Sequence, residues 1–507
     1  MTSYVIVGVL TVYLLVLLLF GIWGSRYSNS IAGYYVAGKK LPAWVIAFSS
    51  NATGESGWLL LGLTGMGYLV GIHALWVVLG EVFGVALGWV LIGRPFKEYT
   101  DRYTAITVPD FLEARFRDTK HWLRFLSVAI ILSMVAAYMA AQLVATGKAF
   151  NSFMGMSYSV GVLLGAAITL FYTTVGGFKA VAYTDLLQGI LMASGLFVLP
   201  LVGIVAVGGW LPLMQQLHAI DPNLLLPMGE HGISVAGVIS ALSFVGVGLA
   251  FLGVPQLLVR FISAKDGQEI VSGSLIAVIC IIIFDVGAVF AGMAGRALFP
   301  GLEDPETIMP MMSTELFPAF FTGLFVVVVL GAIMSTVDSL LILASSAVVR
   351  DMIQKVFHPS LSERQLSRYG KLTTILLGSF AIPFALAKVQ VIFWFVLFAW
   401  SGLATAFAPV VICALFWKRT TLAGAVAGMT GGFLTTVIWV VAFKAHFYDL
   451  YEMLPGFFVG GALTILVSLF SDPPPGAIGE FESVKRAVGP PFGRQKRGAH
   501  QNRNFST

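Results

Sequence analysis

Oxygen atoms in unexpected places are the chemical signal in this chain. The stretch Ala47 to Tyr68 reads AFSSNATGESGWLLLGLTGMGY and sets small polar residues, glycines and one carboxylate inside an apolar run. In hydrocarbon every backbone N–H and C=O must find a partner, so a helix is interrupted at membrane depth only where the freed groups line a cavity or hold a ligand. Asn51 to Gly57 therefore predict an unwound hinge. Its freed carbonyls suit a hard cation such as Na+, and the N–H groups of the half-helix beginning near Trp58 suit an anionic group such as a substrate carboxylate. The alternative is a Gly/Ser surface for close helix packing. A second stretch, Gly331-Ala-Ile-Met-Ser-Thr-Val-Asp-Ser339, gathers the oxygens of Ser335, Thr336, Asp338 and Ser339 within about one helical turn. Ser335 and Ser339 share a face, and Asp338 stands three residues on from Ser335. Opposite the freed carbonyls of the first stretch, these oxygens form an all-oxygen cage for a hard cation. Ser and Thr alone usually only bond back to their own helix or pack helices together. Asp338 raises the stakes, because an intramembrane acid is costly and by default marks function.

Four other acids lie in or near apolar runs: Glu55, Glu81, Asp185 and Asp285. Asp185, in Tyr183-Thr-Asp-Leu-Leu-Gln188, has a plain reading as the ion-pair partner of Lys179. Glu81 and Asp285 are deeper, and three roles stay open for them: pairing with a basic residue, staying protonated, or lining the pathway.

The elements that must position these groups are membrane helices. The chain has 507 residues, 58% hydrophobic and 11% charged, whereas roughly a quarter of a soluble domain carries charge. Apolar runs long enough to cross hydrocarbon fall roughly at 3–24, 43–70, 72–94, 122–152, 156–175, 179–206, 232–262, 268–299, 316–347, 369–388, 390–417, 421–444 and 448–471. The first has no basic segment before it and no clear cleavage site after it, so it reads as a retained helix. The prediction is an all-α polytopic membrane protein of about thirteen crossings, an odd number that puts the termini on opposite sides. With the N-terminus outside, only Lys148, Arg296, Lys388 and Lys444 of the 30 basic residues lie on the outer side, so basic-residue bias predicts N-out and C-in at the plasma (inner) membrane. Residues 1–471 form the transmembrane domain, and 472–507, rich in Pro, Gly and Arg, read as a disordered cytoplasmic tail.

Cys280 and Cys413 sit inside apolar runs, and the seven histidines show no metal-ligand spacing, so neither a disulfide framework nor a transition-metal site is expected. The formal charge of +5 follows topology and says nothing of nucleic acid. No nucleotide loop or nucleophile–base pairing is present, so an enzyme is not expected. A channel should repeat a filter loop and a sensor kinase should carry a soluble catalytic domain; the sequence has neither.

Two runs look broken and stand five crossings apart: 43–70, with its hinge, and 232–262, with Val245-Gly-Val-Gly-Leu-Ala-Phe-Leu-Gly-Val-Pro255. Paired interruptions point to an inverted-repeat transporter with its site at the midplane. Two independently kinked helices are the plainer alternative. The hinge with SGWLLLG, Val108-Pro-Asp-Phe111, Gly155-Met-Ser-Tyr158, Gly176-Gly-Phe-Lys-Ala-Val-Ala-Tyr-Thr-Asp185, Pro255 with Arg260-Phe261, Met334-Ser-Thr336, Ala408-Pro409 and Ala425-Val-Ala-Gly-Met429 resemble the sodium:solute symporter family, in register over nearly all of the crossings.

The resemblance implies a LeuT-like five-plus-five inverted repeat over about 43–417, with extra helices at both ends. It implies a Na+ site from backbone oxygens of Ala52, Glu55 and Ala332 with the hydroxyls of Ser335 and Thr336. Relatives with a second Na+ would hold it near Asp185, Ser335, Asp338 and Ser339. The substrate pocket would take Ser56, Gly57, Tyr138, Val247, Gly248, Phe251 and Pro255. The expected activity is Na+-coupled import of a small organic solute by alternating access, with an amino acid such as proline leading. A monocarboxylate, a vitamin or a betaine-like cation is the rival, the last because Glu55 offers a counter-charge. Na+, the solute and the bilayer are the implied partners, with no cofactor and no obligatory protein partner. The family's proline carriers have an aspartate in place of Gly54, methionine for Glu55, tryptophan for Val247 and tyrosine for Phe251.

Overall fold

The computed structural model describes residues 2–387 and 392–489. Among them ten helices are long and apolar enough to cross a membrane, and two of these, Ala43–Arg102 and Tyr158–Val207, run 60 and 50 residues. At 1.5 Å per residue such lengths are more than twice the roughly 30 Å of hydrocarbon, so each is two crossings. The shorter apolar helix Met453–Leu469 completes the thirteen crossings predicted.

In chain order the helices that matter are α1 (Thr2–Ser25), α2 (Ala43–Gly57), α3 (Leu75–Leu87), α4 (Trp122–Met154), α5 (Tyr158–Val207), α6 (Val235–Gly246), α7 (Pro255–Ser263), α8 (Gly267–Leu298), α9 (Ala319–Ser346), α10 (Glu363–Leu386), α11 (Ile392–Phe416), α12 (Leu422–Ile438), α13 (Met453–Leu469) and α14 (Ala477–Val488). α9 is the axle: its whole apolar window is buried, as expected of a helix that is apolar all round. The two halves of α5 meet at Gly177, whose φ of 63° and ψ of −172° turn the chain without a loop. Only a residue lacking Cβ visits that region freely.

Both predicted interruptions are present, but the first is narrower than the unwound stretch predicted over Asn51 to Gly57: Asn51 to Glu55 stay helical, and only Ser56 leaves helical geometry. At the end of α2, Ser56 has φ 57° and ψ −168°, a region essentially reserved for glycine and costing about 1–3 kcal/mol. The backbone then widens into a π-helical stretch, Trp58–Leu63. In the seventh crossing α6 gives way to the 3-10 segment Val247–Leu252, and α7 restarts at Pro255, whose missing N–H is no loss at a first helical position. α3 packs on this second break through glycine: a Cβ on Gly84 would lie 2.0 Å from the carbonyl oxygen of Gly248.

A charged lock joins the start of α4 to the end of the ninth crossing. Arg124 bonds Asp110 at 3.0 Å, Glu113 at 2.6 Å and also Asp351, while Arg350 reaches Asp110 at 3.0 Å. Burial works upward on the Asp110 carboxyl, but Arg350 and Arg124 beside it hold it below the ordinary carboxylate range. With the folded value lowered, its contribution is present above the unfolded value and is lost as pH falls through the folded one.

The tail departs from expectation. α14 is a docked helix: Glu480 pairs with Arg117 at 2.9 Å, and Arg102 reaches the Ser483 hydroxyl at 2.9 Å. Ala477, Phe481, Val484 and Val488 recur at helical spacing, and Ala477 and Val484 are buried. That short apolar face is diluted by Glu, Lys and Arg, which is why the composition of 472–507 hid it. Residues 490–507 of that predicted tail lie outside the described residues.

Candidate functional site

The hinge and α9 meet through hydroxyls. The Ser335 Oγ donates to the carbonyls of Ala52 and Ala332, each at 2.9 Å, and the Thr336 Oγ1 donates to Thr53 at 3.0 Å and Ala332 at 3.3 Å. Ala52, Ala332, Ser335 and Thr336 are fully buried. Five oxygens, all hard and none of them anionic, are therefore knotted between two helices, a donor set suited to a cation that prefers oxygen. Glu55 belongs only marginally to this knot. Its carbonyl accepts from the N–H of Trp58, and its side chain lies instead with Glu81 and Asp285, carboxylate oxygens of the three standing within 4.8 Å of one another.

Asp185 is buried and pairs with Arg260 at 3.1 Å rather than with Lys179. Lys179 stands over the rings of Trp23 and Tyr27, with its ammonium 5.0 and 3.3 Å from their centroids. The Arg260 guanidinium also donates to Thr53, Ser49 and Ser339, while Ser49 donates to Asp185 at 2.6 Å. Asp338 accepts from Tyr172 at 2.8 Å and from Ser339 at 3.2 Å. The groups expected to share a second cation are thus gathered around a guanidinium from α7. Arg260 stood in the sequence as part of a motif, but its 75-residue separation from Asp185 hid the pairing.

The predicted substrate residues sit around the breaks. The Gln142 amide brackets the hinge, its Oε1 accepting from Gly57 N–H at 3.1 Å and its Nε2 donating to Ser56 Oγ at 3.3 Å. The same Ser56 Oγ accepts from Trp58 N–H at 3.1 Å. Phe251 packs edge to face on Trp400 at 5.5 Å, and Tyr138 packs on Trp400 at 6.3 Å. Gly248 is held by backbone packing against Gly80, and Pro255 opens α7. The Trp400 indole N–H donates to the Val247 carbonyl at 3.4 Å, so an indole from α11 covers the small residue at 247. Gln142 and Trp400 were not foreseen; a polar amide and a Trp-Ser-Gly step inside apolar runs were their only signals. Gly54 makes room for an aromatic ring, since a Cβ there would meet Phe251 at 3.0 Å. Gly54 and Phe251 thus form one packing unit.

A membrane protein that breaks two crossings in corresponding positions, and sets side-chain hydroxyls against the carbonyls so freed, is built as an ion-coupled secondary transporter. Residues 34–432 match the model of the sodium:solute symporter family. The high-affinity proline transporter PutP of Bacillus subtilis is 35% identical over 91% of this chain and 97% of its own length. The osmoregulated proline transporter OpuE of the same organism is 32% identical over 92% and 94%, and the sodium/proline symporter of Staphylococcus aureus is 32% identical over 92% of each. The fold matches a solved Na+-coupled sialic acid symporter at TM-score 0.78 and 19% identity, over 93% of this chain and 98% of that one. MhsT, solved with L-phenylalanine, matches at 0.54 and 14% identity, over 84% and 97%. The chain belongs to the sodium:solute symporter family. It is a multi-pass Na+-coupled solute symporter with the LeuT-like fold, a transporter and not an enzyme.

Proposed function

We propose that this symporter imports a small amino acid, with proline the leading solute, in exchange for the energy of Na+ entry. The observation that carries the reading is the knot of Ser335 and Thr336 hydroxyls on the carbonyls of Ala52, Thr53 and Ala332. Na+ is the cargo held there by Ala52, Ala332, Ser335 and Thr336, with the backbone of Glu55 at its edge. Because hinge backbone supplies the ion's ligands while its next residues, Ser56 and Gly57, face the solute, ion and solute favour the same closed arrangement, and each tightens the other.

The solute carboxylate takes the N–H groups of Gly57 and Trp58, which Gln142 Oε1 and Ser56 Oγ hold in its place. Its ring and ammonium lie among Tyr138, Val247, Gly248, Phe251 and Trp400 beside Pro255, with aromatic faces to receive a cationic nitrogen. The proline transporters among the relatives support the choice of solute. The side chain of Glu55 turns to Glu81 and Asp285, which weighs against its acting as counter-charge for a betaine-like cation. The Arg260 guanidinium supplies, at Asp185 and Ser339, the positive charge that a second Na+ would bring. The plasma membrane, with the N-terminus outside and the C-terminus cytoplasmic, is the orientation that the basic residues support.

The test is uptake by proteoliposomes of a panel of labelled solutes with and without an inward Na+ gradient. Proline accumulation that requires the gradient is expected, and Na+-driven uptake of another panel member without proline would replace the solute assignment. In the same assay Trp400→Ala should raise the proline KM about tenfold or more, because it removes the indole on which Phe251 and Tyr138 pack. An unchanged KM would remove Trp400 from the pocket.

A further inference from the structure

The carboxyls of Glu55, Glu81 and Asp285 come from three helices, α2, α3 and α8, and their oxygens lie within 4.8 Å of one another. All three residues are buried. Among the described residues, no lysine, arginine or histidine forms an ion pair with any of them. A second, separate observation concerns Glu55 itself. It projects from the strained end of α2 toward the other two acids, and no N–H or hydroxyl group donates to either of its oxygens, to either oxygen of Asp285 or to Oε2 of Glu81, so these have only one another's carboxyls as neighbours to bond. One turn earlier on the same face of α2, the buried Asn51 Oδ1 also lacks a donor. Asp185 and Asp338 differ in each having donors, Asp185 from Arg260 and Ser49 at Oδ2 and Asp338 from Tyr172 and Ser339, although Asp185 Oδ1 has none.

We propose that Glu55, Glu81 and Asp285 form a binding site for a hard metal cation, built on α2, α3 and α8 and distinct from the Ser335–Thr336 knot on α9. Intramembrane acids persist where they pair with a partner or line an ion path, and an all-oxygen donor set with no sulfur or imidazole selects alkali or alkaline-earth ions. The site adjoins the solute pocket. A Cβ on Gly248 would lie 2.8 Å from the backbone nitrogen of Glu81, and Glu55 is followed directly by Ser56. A cation held here ties the first break to α3, on which the second break packs, so its occupancy is linked to solute binding. This last step rests on the solute pocket proposed above; the cation site itself does not.

Equilibrium binding of radiolabelled Na+ and, separately, Ca2+ to the purified full-length protein tests it, with Glu81→Gln, Asp285→Asn and Ser335→Ala compared. Glu81→Gln and Asp285→Asn should each lose one bound ion per chain, or weaken it at least tenfold, for whichever of the two ions fills the site. Ser335→Ala should keep that ion and lose the Na+ of the knot. If Glu81→Gln and Asp285→Asn bind both ions as the unmutated protein does, the cation site is wrong while the Na+ knot stands. If only Ser335→Ala is silent, the knot fails and this site stands. Should either carboxyl variant fail to fold, infrared spectra of the Ser335→Ala protein, in which all three carboxyls are intact, decide: Na+ or Ca2+ should shift the carboxylate stretching bands, and bands that respond to pH alone would overturn the proposal in favour of protons.

Discussion

Arg260→Gln is expected to unfold at markedly lower temperature than the unmutated protein and to lose Na+-driven uptake. The pair it breaks is fully enclosed: the side chains of Arg260 and Asp185 are 1% and 0% exposed and 3.1 Å apart. Removing one partner of such a pair leaves a bare buried charge, at a cost of about 3–5 kcal/mol. The same guanidinium donates to Ser49, Thr53 and Ser339, so α2, α5, α7 and α9 are all tied to one group. Asp185→Asn placed in the Arg260→Gln background should recover a large part of the lost stability, since neither charge is then buried alone. Thermal unfolding of the four proteins of this cycle gives the coupling directly. If the double variant were as unstable as the sum of the two singles, the ion pair would not be what joins these helices.

Ser335→Ala and Thr336→Ala should each raise the Na+ concentration needed for half-maximal uptake by at least tenfold, and together they should abolish dependence on Na+. Each hydroxyl spans the gap between α9 and the hinge, and a polar bond to a charged group is worth about 1.5–3 kcal/mol, which is roughly one to two factors of ten in affinity. Thr336→Ser, which keeps the oxygen and drops only a methyl group, should retain most of the affinity. Solute KM measured at saturating Na+ separates an ion ligand from a packing residue, because loss of an ion ligand is overcome by more Na+ and a packing defect is not. Wild-type Na+ dependence in both alanine variants would move the ion elsewhere.

Much of this was legible in the primary structure because the constraints behind it are local. Hydrocarbon forces each crossing to satisfy its own backbone, so length and apolarity outline the thirteen crossings, and polar, glycine-rich interruptions betray both breaks. Ser335, Thr336, Asp338 and Ser339 lie within one turn and could be recognised as a constellation without knowing what faced them. The position of the turn was less clear: glycines flank the hinge at 54 and 57, yet the residue with the strained backbone is Ser56. α14 was hidden because four apolar residues among charges make a helix only when a surface is there to receive them.

What the tertiary structure alone decided is which partner each buried polar group takes. Lys179 stands six residues before Asp185, but six positions along a helix point the two side chains to different sides, and Arg260 reaches Asp185 from another crossing. Gly54 and Phe251 account for each other only when the two breaks face one another, with the ring occupying the place of an absent Cβ. Glu55, Glu81 and Asp285 read as three isolated oddities along the chain and as one group in space. Local backbone needs were written into the order of residues; the meeting of side chains depended on the rotation and depth at which helices far apart in sequence pack, and those are set by the whole bundle at once.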